Sequence, residues 1–256
     1  MIENFDKENL EWKKDKRGNP SLYYKIKIPS VSQILSSLAD PEWEAFIKSV
    51  GKEKADEILK LAAYRGSAMH IFIQNFISEY AKSKDISKAL KFTQIESPKI
   101  LLSEEIPEKK IEEGRDLFYK FYYSDYSNQY LDVLGIELAI YSPLYFYRGK
   151  LDILYKNKLF GLSITDFKSS SGKIKKGSVK EYKYKLQLAA YVNALEEMYK
   201  SKNITINYAS ILCVDTHSEI LQEVECSGNE LQQKKDEFKT LCQSWHIKNN
   251  QEFLIK

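Results

Sequence analysis

Asp152, Asp166 and Lys168 are residue types that can bind a cation and stabilise negative charge, and they lie close together in the chain. Asp152 closes the run Arg148-Gly-Lys-Leu-Asp152, and Asp166 and Lys168 sit in Ile164-Thr-Asp166-Phe-Lys168. Carboxylate oxygens suit hard divalent ions such as Mg²⁺ or Mn²⁺. Two converging carboxylates repel unless a cation lies between them. In a strand over Leu159–Lys168 the even positions Phe160, Leu162, Ile164, Asp166 and Lys168 share one face, so a core-facing row ends in an acid and a lysine side by side. The plain alternative is an ion pair in which each charge satisfies the other, since such groups are rarely buried alone. The chemical alternative is that Asp166 binds a metal while Lys168 orients a water or stabilises charge on a phosphate.

Whether Asp152 joins them depends on register. A three-residue turn at Lys156-Asn157-Lys158 pairs Asp152 with Leu162 and puts both acids on one face, whereas a two-residue turn separates them. Asn157 tolerates the left-handed conformation that such a turn favours. Glu137 is a lone acid in the apolar run Gly135-Ile-Glu137-Leu-Ala-Ile, one strand earlier. His70 follows Arg65-Gly66 on a helix, and a neutral imidazole is a good metal ligand. Gly66 in mid-helix costs roughly 1 kcal/mol against alanine, which hints at close backbone approach. Gln187 and Tyr191, four apart, share a face of the helix after the Asp/Lys strand. The intervening segment holds Lys173, Lys175, Lys176, Lys180, Lys183 and Lys185, interleaved with Tyr182 and Tyr184. Beside a metal site these lysines offer phosphate contacts and the tyrosines offer stacking surfaces; elsewhere they are a solvated loop.

The elements that must position these groups follow from periodicity. Ser21–Ile28 reads as a strand, with residues 1–20 as loop. Ser30 or Ser32 caps the next helix. Pro41–Tyr80 reads as one helical stretch, with Ile58, Ala62, Gly66, Met69, Ile73 and Phe76 near one stripe. Residues 82–105 give no clear pattern, and Glu108–Tyr123 is a charged, aromatic helix. Three strands follow, at Gly135–Ser142, Tyr147–Tyr155 and Leu159–Lys168, then a helix at Glu181–Lys202. Strands at Ile204–Val214 and Glu219–Cys226 precede a last helix capped by Ser227. This order predicts an α/β fold with a central mixed sheet flanked by helices and a helical N-terminal portion. The expectation is one domain over 1–256: a strand and mainly helical part at 21–133, a catalytic core at 134–202, and a strand pair and helix at 203–256.

Composition narrows the classes. The chain has 256 residues, 43% hydrophobic and 29% charged, with a net charge of +3, so contact with a polyanion depends on local clustering. Of 39 basic residues only Arg17, Arg65, Arg115 and Arg148 are arginine, and Arg65 and Arg148 lie within five positions of His70 and Asp152. Three widely spaced cysteines match no metal motif and disfavour an iron–sulfur cluster. No apolar run approaches a membrane span, and the stretch from Met1 to Asp15 is too charged for a targeting peptide, so a cytoplasmic protein of a bacterial or phage-infected cell is expected.

In order, Gly66-x-x-x-His70, Glu137, Gly149-x-x-Asp152, Asp166-x-Lys168 and Gln187-x-x-x-Tyr191 resemble the PD-(D/E)XK nuclease superfamily, and within it the RecB-type exonuclease branch. Pro29-Ser-Val-Ser-Gln-Ile-Leu, Trp43 and Ala62-x-x-Arg65-Gly66 are similar to the opening of the mitochondrial genome maintenance exonucleases and their phage relatives, with Ser32 where those often carry threonine. The resemblance implies a restriction-endonuclease-like core with His70, Asp152, Asp166 and the Phe167 carbonyl as ligands to Mg²⁺ or Mn²⁺. It implies Lys168 at the attacking water and Glu137 supporting the metal. Gln187 and Tyr191 would contact DNA or order the site, and Arg65, Arg148, Lys173, Lys175, Lys176 and Lys183 are further candidates for DNA contact. The implied activity is metal-assisted hydrolysis of single-stranded DNA from an end, leaving a 5′-phosphate, in replication, repair or recombination. A structure-specific endonuclease of the same superfamily and a catalytically silent DNA-binding module are the alternatives. The resemblance also implies a helical arch over the strand, to which Glu108–Tyr123 would contribute Tyr119, Phe121, Tyr122 and Tyr123 for stacking bases.

Overall fold

A computed structural model of the chain describes residues 11–14, 20–24, 26–130 and 132–251. Residues 1–10 and 15–19, expected to be loop, lie outside these, while Glu11–Lys14 forms a strand that the sequence reading missed. This strand, β1, pairs with β2 (Pro20–Tyr24), which pairs with β3 (Ile26–Lys27), all antiparallel. Helix α1 (Val31–Leu35) starts in a capping box: Gln33 N–H donates to Ser30 Oγ while Ser30 N–H donates to Gln33 Oε1. Ser30, rather than Ser32, is thus the cap.

The stretch read as one long helix is two, α2 (Pro41–Val50) and α3 (Lys52–Ser83), because Gly51 between them adopts φ 85°. Residues 82–105, unassigned from sequence, contain α4 (Ile86–Ser103), and α5 (Glu108–Tyr122) follows as expected. The pattern of α4 is inverted: it buries Ala89, Thr93 and Ser97 beside Leu101, while Ile86, Phe92, Ile95 and Leu102 are exposed. Small inward side chains let α4 pack closely on α3, and Asn75 Nδ2 reaches Ser97 Oγ at 3.0 Å.

The second half is the expected mixed sheet. Strands β4 (Val133–Ser142), β5 (Tyr147–Asn157), β6 (Gly161–Ser170), β7 (Tyr208–Asp215) and β8 (Leu221–Ser227) lie in chain order across it. All neighbours are antiparallel except β6 and β7, which are parallel and joined through α6 (Val179–Met198). On one face α6, α1 and α7 (Gly228–Lys248) cover Leu154, Ile164, Ile211 and Cys213. On the other, α3 and α5 cover Ile153, Tyr155, Phe167, Leu212 and Val214. Strands buried on both faces carry nearly continuous apolar runs, as Tyr208–Val214 does except at Ser210, whose hydroxyl pairs with that of Thr165.

The β5–β6 turn differs from the expected one. It falls at Lys158–Phe160, with Asn157 paired to Gly161, because Asn157 Oδ1 accepts from the N–H groups of Leu159 and Phe160. The left-handed residue is Gly161 at φ 75°, not Asn157. The ladder is therefore displaced from the predicted one, and continued one step past Ile153↔Thr165 it sets Asp152 across from Asp166 rather than Leu162.

Candidate active site

β4, β5 and β6 bring Glu137, Asp152 and Asp166 to neighbouring positions, and α3 adds His70 from above. Single ligand atoms of His70, Glu137 and Asp152 lie within 4.8 Å of one another. His70 Nδ1 is 3.2 Å from Asp152 Oδ2, which also accepts the Phe167 N–H at 2.7 Å. These residues and Gln74 line a cavity of about 10 Å³, about the space of one water molecule. The β4–β5 ladder passes from Ile136↔Ile153 to Leu138↔Leu151, skipping Glu137 and Asp152, and Glu137 sits at φ 54°. For a residue other than glycine that conformation costs about 1–3 kcal/mol, and such strain collects at functional sites. It turns the Glu137 carboxylate toward Asp152 and His70, where Lys150 pairs with it.

Asp166 lies outside this trio. Only 2% exposed, it pairs with Lys168, and its Oδ2 is 3.5 Å from Gln187 Nε2. Burial, and then the neighbouring Asp152 carboxylate, push Asp166 up to about 6, with Lys168 pulling the other way. Asp152 is held below its ordinary value: burial opposes its charge, but His70, Lys168 and the Phe167 N–H outweigh that. Burial also opposes charge on His70 and Lys168, yet the two carboxylates hold both above their ordinary values. Two buried acids, one of them unwilling to ionise, form a site that a cation would relieve. One imidazole nitrogen with carboxylate oxygens is a donor set that fits a divalent ion.

The helix α6 supports the site from the opposite face. Gln187 Nε2 donates to Tyr191 Oη at 2.8 Å, and the Tyr191 ring lies against Gly149, where an added Cβ would stand 2.6 Å from Cε1. Gly149 is thus fixed by the aromatic ring. The close approach suspected at Gly66 is looser: an added Cβ there would meet Ser169 Oγ at 3.4 Å. The tight crossing on α3 is two residues on, where Gly114 of α5 leaves room for Ala68.

The basic candidates scatter. Arg65 lines a groove of about 870 Å³ and has Nη1 3.8 Å from Glu113. Arg148 Nε donates to the Ile28 carbonyl and its N–H to that of Pro29, tying β5 to the start of α1. Lys183 pairs with Asp40, the cap of α2. Lys173, Lys175 and Lys176 are exposed on a loop pinned to β8, where Ile174 exchanges two hydrogen bonds with Gln222. Lys176 lines a separate cleft among Glu181, Glu225 and Glu230. Lys180 Nζ donates to Ser170 Oγ at 3.1 Å, two residues beyond Lys168. Of the aromatic cluster on α5, Phe121 is core, packed on Phe167 and Tyr130, and only Tyr123 is strongly exposed, at 78%. Gln74, four residues after His70, is a site residue the sequence reading missed, with helical spacing as its signal.

A family model of the PD-(D/E)XK nuclease superfamily matches residues 36–255, and so spans the whole site. The chain belongs to that superfamily. Its core is accordingly the restriction-endonuclease-like α/β arrangement, with Asp152, Asp166 and Lys168 on its central strands. Among solved structures, a crystal structure of a protein from Eubacterium rectale, itself proposed to be an exonuclease, is similar. It shares 15% identity and a TM-score of 0.43, over 68% of this chain and 67% of that one. No curated protein matches. Among the described residues no helix is long and apolar enough to cross a membrane.

Proposed function

We propose that this nuclease is a metal-dependent deoxyribonuclease that degrades single-stranded DNA from an end, of the RecB-type branch, and acts in DNA replication, repair or recombination. The observation that carries the reading is the meeting of His70, Glu137 and Asp152 beside the buried Asp166–Lys168 pair. His70, Glu137 and Asp152, with Asp166 alongside, would hold Mg²⁺ or Mn²⁺; the imidazole makes Mn²⁺ the better match. When bound, such an ion supplies Lewis-acid stabilisation of the developing phosphate charge and acidifies water.

The protein groups divide the remaining work. The Asp166 and Asp152 carboxylates hold Lys168 above its ordinary value, which favours its charged, donating form. Its part is to donate, holding the attacking water or a phosphate oxygen in line. Gln187 and Tyr191 keep the Asp166 carboxylate aimed, and Phe167 does the same for Asp152 through its amide.

The test is digestion of end-labelled single-stranded DNA with Mn²⁺ or Mg²⁺, comparing the wild type with Lys168→Ala and with a chelator present. Removal of one charged donor is expected to slow cleavage by roughly 10²–10³-fold. Equal cleavage by both proteins would remove Lys168 from the mechanism, and binding without cleavage by the wild type would leave a silent DNA-binding module. Digestion of circular single strands would reassign the protein to the endonucleases.

A further inference from the structure

The groove of about 870 Å³ that Arg65 lines is large enough for a nucleotide-sized ligand, and one of its walls is bonded to the end of the strand that carries Lys168. Thr216, on its wall, donates its N–H to the Ser170 carbonyl at 2.8 Å, two residues beyond Lys168. Arg65 is five residues before His70 on α3 and adjoins Gly66, which faces Ser169. A strand whose scissile phosphate lay beside Lys168 would pass directly into this groove.

Two buried polar atoms on its walls, Arg65 Nε and Thr216 Oγ1, have no hydrogen-bond partner in the protein. Each such atom costs about 1–3 kcal/mol when left unmade. Both can donate, so the group that satisfies them is an acceptor with several oxygens, as a phosphate is. Tyr123, which lines the same groove, is 78% exposed and stacks on Tyr119 with centroids 6.0 Å apart and planes 18° apart. Tyr119 is itself held by Gln94 Nε2, which donates to its Oη at 2.7 Å. Tyr123 is thus a supported ring with one face toward solvent. Formal charges on the walls balance, Arg65, Lys110 and Lys120 against Glu113, Asp116 and Glu219, so a ligand would be recognised by placed donors and a ring rather than by bulk charge.

We propose that this groove seats one unpaired nucleotide next to the scissile position, with its phosphate on Arg65 and Thr216 and its base stacked on Tyr123. The proposal rests on the nuclease reading above, and names the part of the substrate that this flank takes. Stacking on a tyrosine requires a base free of its duplex partner, so the groove selects single strands.

The experiment measures anisotropy of an internally labelled single strand in chelator, for the wild type, Thr216→Val, Arg65→Gln and Tyr123→Ala, with thermal midpoints as the folding control. Thr216→Val and Arg65→Gln are each expected to weaken binding by about tenfold. Arg65→Gln should also lower the salt slope by about 0.7, the loss of one phosphate contact on a single strand. Tyr123→Ala should weaken binding by roughly fivefold or more on an ordinary strand and by nothing on a strand of abasic residues. Three folded variants that bind as the wild type does, while the wild type still cuts with Mn²⁺, would place the strand elsewhere and overturn the proposal. An equal Tyr123→Ala penalty on ordinary and abasic strands would overturn the stacking. A wild type that neither binds nor cuts would overturn the nuclease reading itself.

Discussion

At the scale of single residues, the site is a set of charges that tolerate one another poorly without a cation. A ligand that binds only the folded state stabilises it by mass action. Millimolar Mn²⁺ is therefore expected to raise the melting temperature of the wild type by a few degrees, and His70→Ala or Glu137→Gln to abolish most of that rise; differential scanning fluorimetry reads both. If the rise survives loss of both side chains, the cation is held elsewhere. A second prediction concerns Gly149. An alanine there would push its Cβ into the Tyr191 ring, and overpacking of this kind costs about 1–3 kcal/mol. On a Tyr191→Ala background the same change should cost much less, a coupling that a double-mutant cycle by urea denaturation measures. The acids and Lys168 were legible from sequence because strand alternation leaves charged residues at core positions visible. Glu137 was named as well, as a support for the metal, but the left-handed backbone that breaks its strand's alternation was not legible.

At the scale of elements, two loops beyond the ends of β6 and β7 are tied by one side chain. Asp215 Oδ1 accepts the N–H of Gly172 and of His217, and its Oδ2 accepts the Ser218 hydroxyl. Those backbone bonds hold its carboxyl down at about 2. A depressed acid stabilises the fold above its unfolded pKa, near 3.8, and loses that contribution as pH falls through its folded value. Wild type and Asp215→Asn should therefore differ in unfolding free energy at pH 6, by roughly 1–2 kcal/mol discounted for solvent exposure. The two curves should converge between pH 4 and pH 2; a constant gap down to pH 2 would contradict this. The sequence made most elements readable, yet it misplaced the β5–β6 turn because Leu159 and Phe160 are apolar and still lie in that turn, Leu159 at 86% exposure. It hid α4 for the inverse reason, since the apolar residues of that helix face outward.

At the scale of the whole molecule, substrate-binding surface forms where distant segments meet, and this is what one sequence conceals most. The groove draws Arg65 from α3, Tyr123 from the end of α5 and Thr216 from beyond β7. No spacing in the chain announces that meeting, whereas the lysine-rich loop, conspicuous in sequence, folds toward β8. With a net charge of +3 overall and balanced charges in the groove, the protein should bind a single strand with a shallow salt dependence. A titration from 50 to 200 mM salt is expected to show a slope of about −0.7 to −1.4, one or two phosphate contacts at about 0.7 each. A slope steeper than about −4 would indicate a wide basic track instead.

Helix α3 carries a mechanical consequence. Its 32 residues make a rod about 48 Å long at 1.5 Å per residue. The inner part, from Ala68 to Ile77, is clamped in the core, and its tightest crossing is Ala68 on Gly114, two residues from His70. The outer part, from Lys52 to Leu61, is exposed except at Ala55, and α2 lies along it, fastened to α6 through Asp40 and Lys183. Such a rod is a lever with its fulcrum beside a metal-ligand candidate. The imidazole is carried by the helix and the carboxylates by the sheet, so the geometry between them depends on how α3 is seated at that crossing.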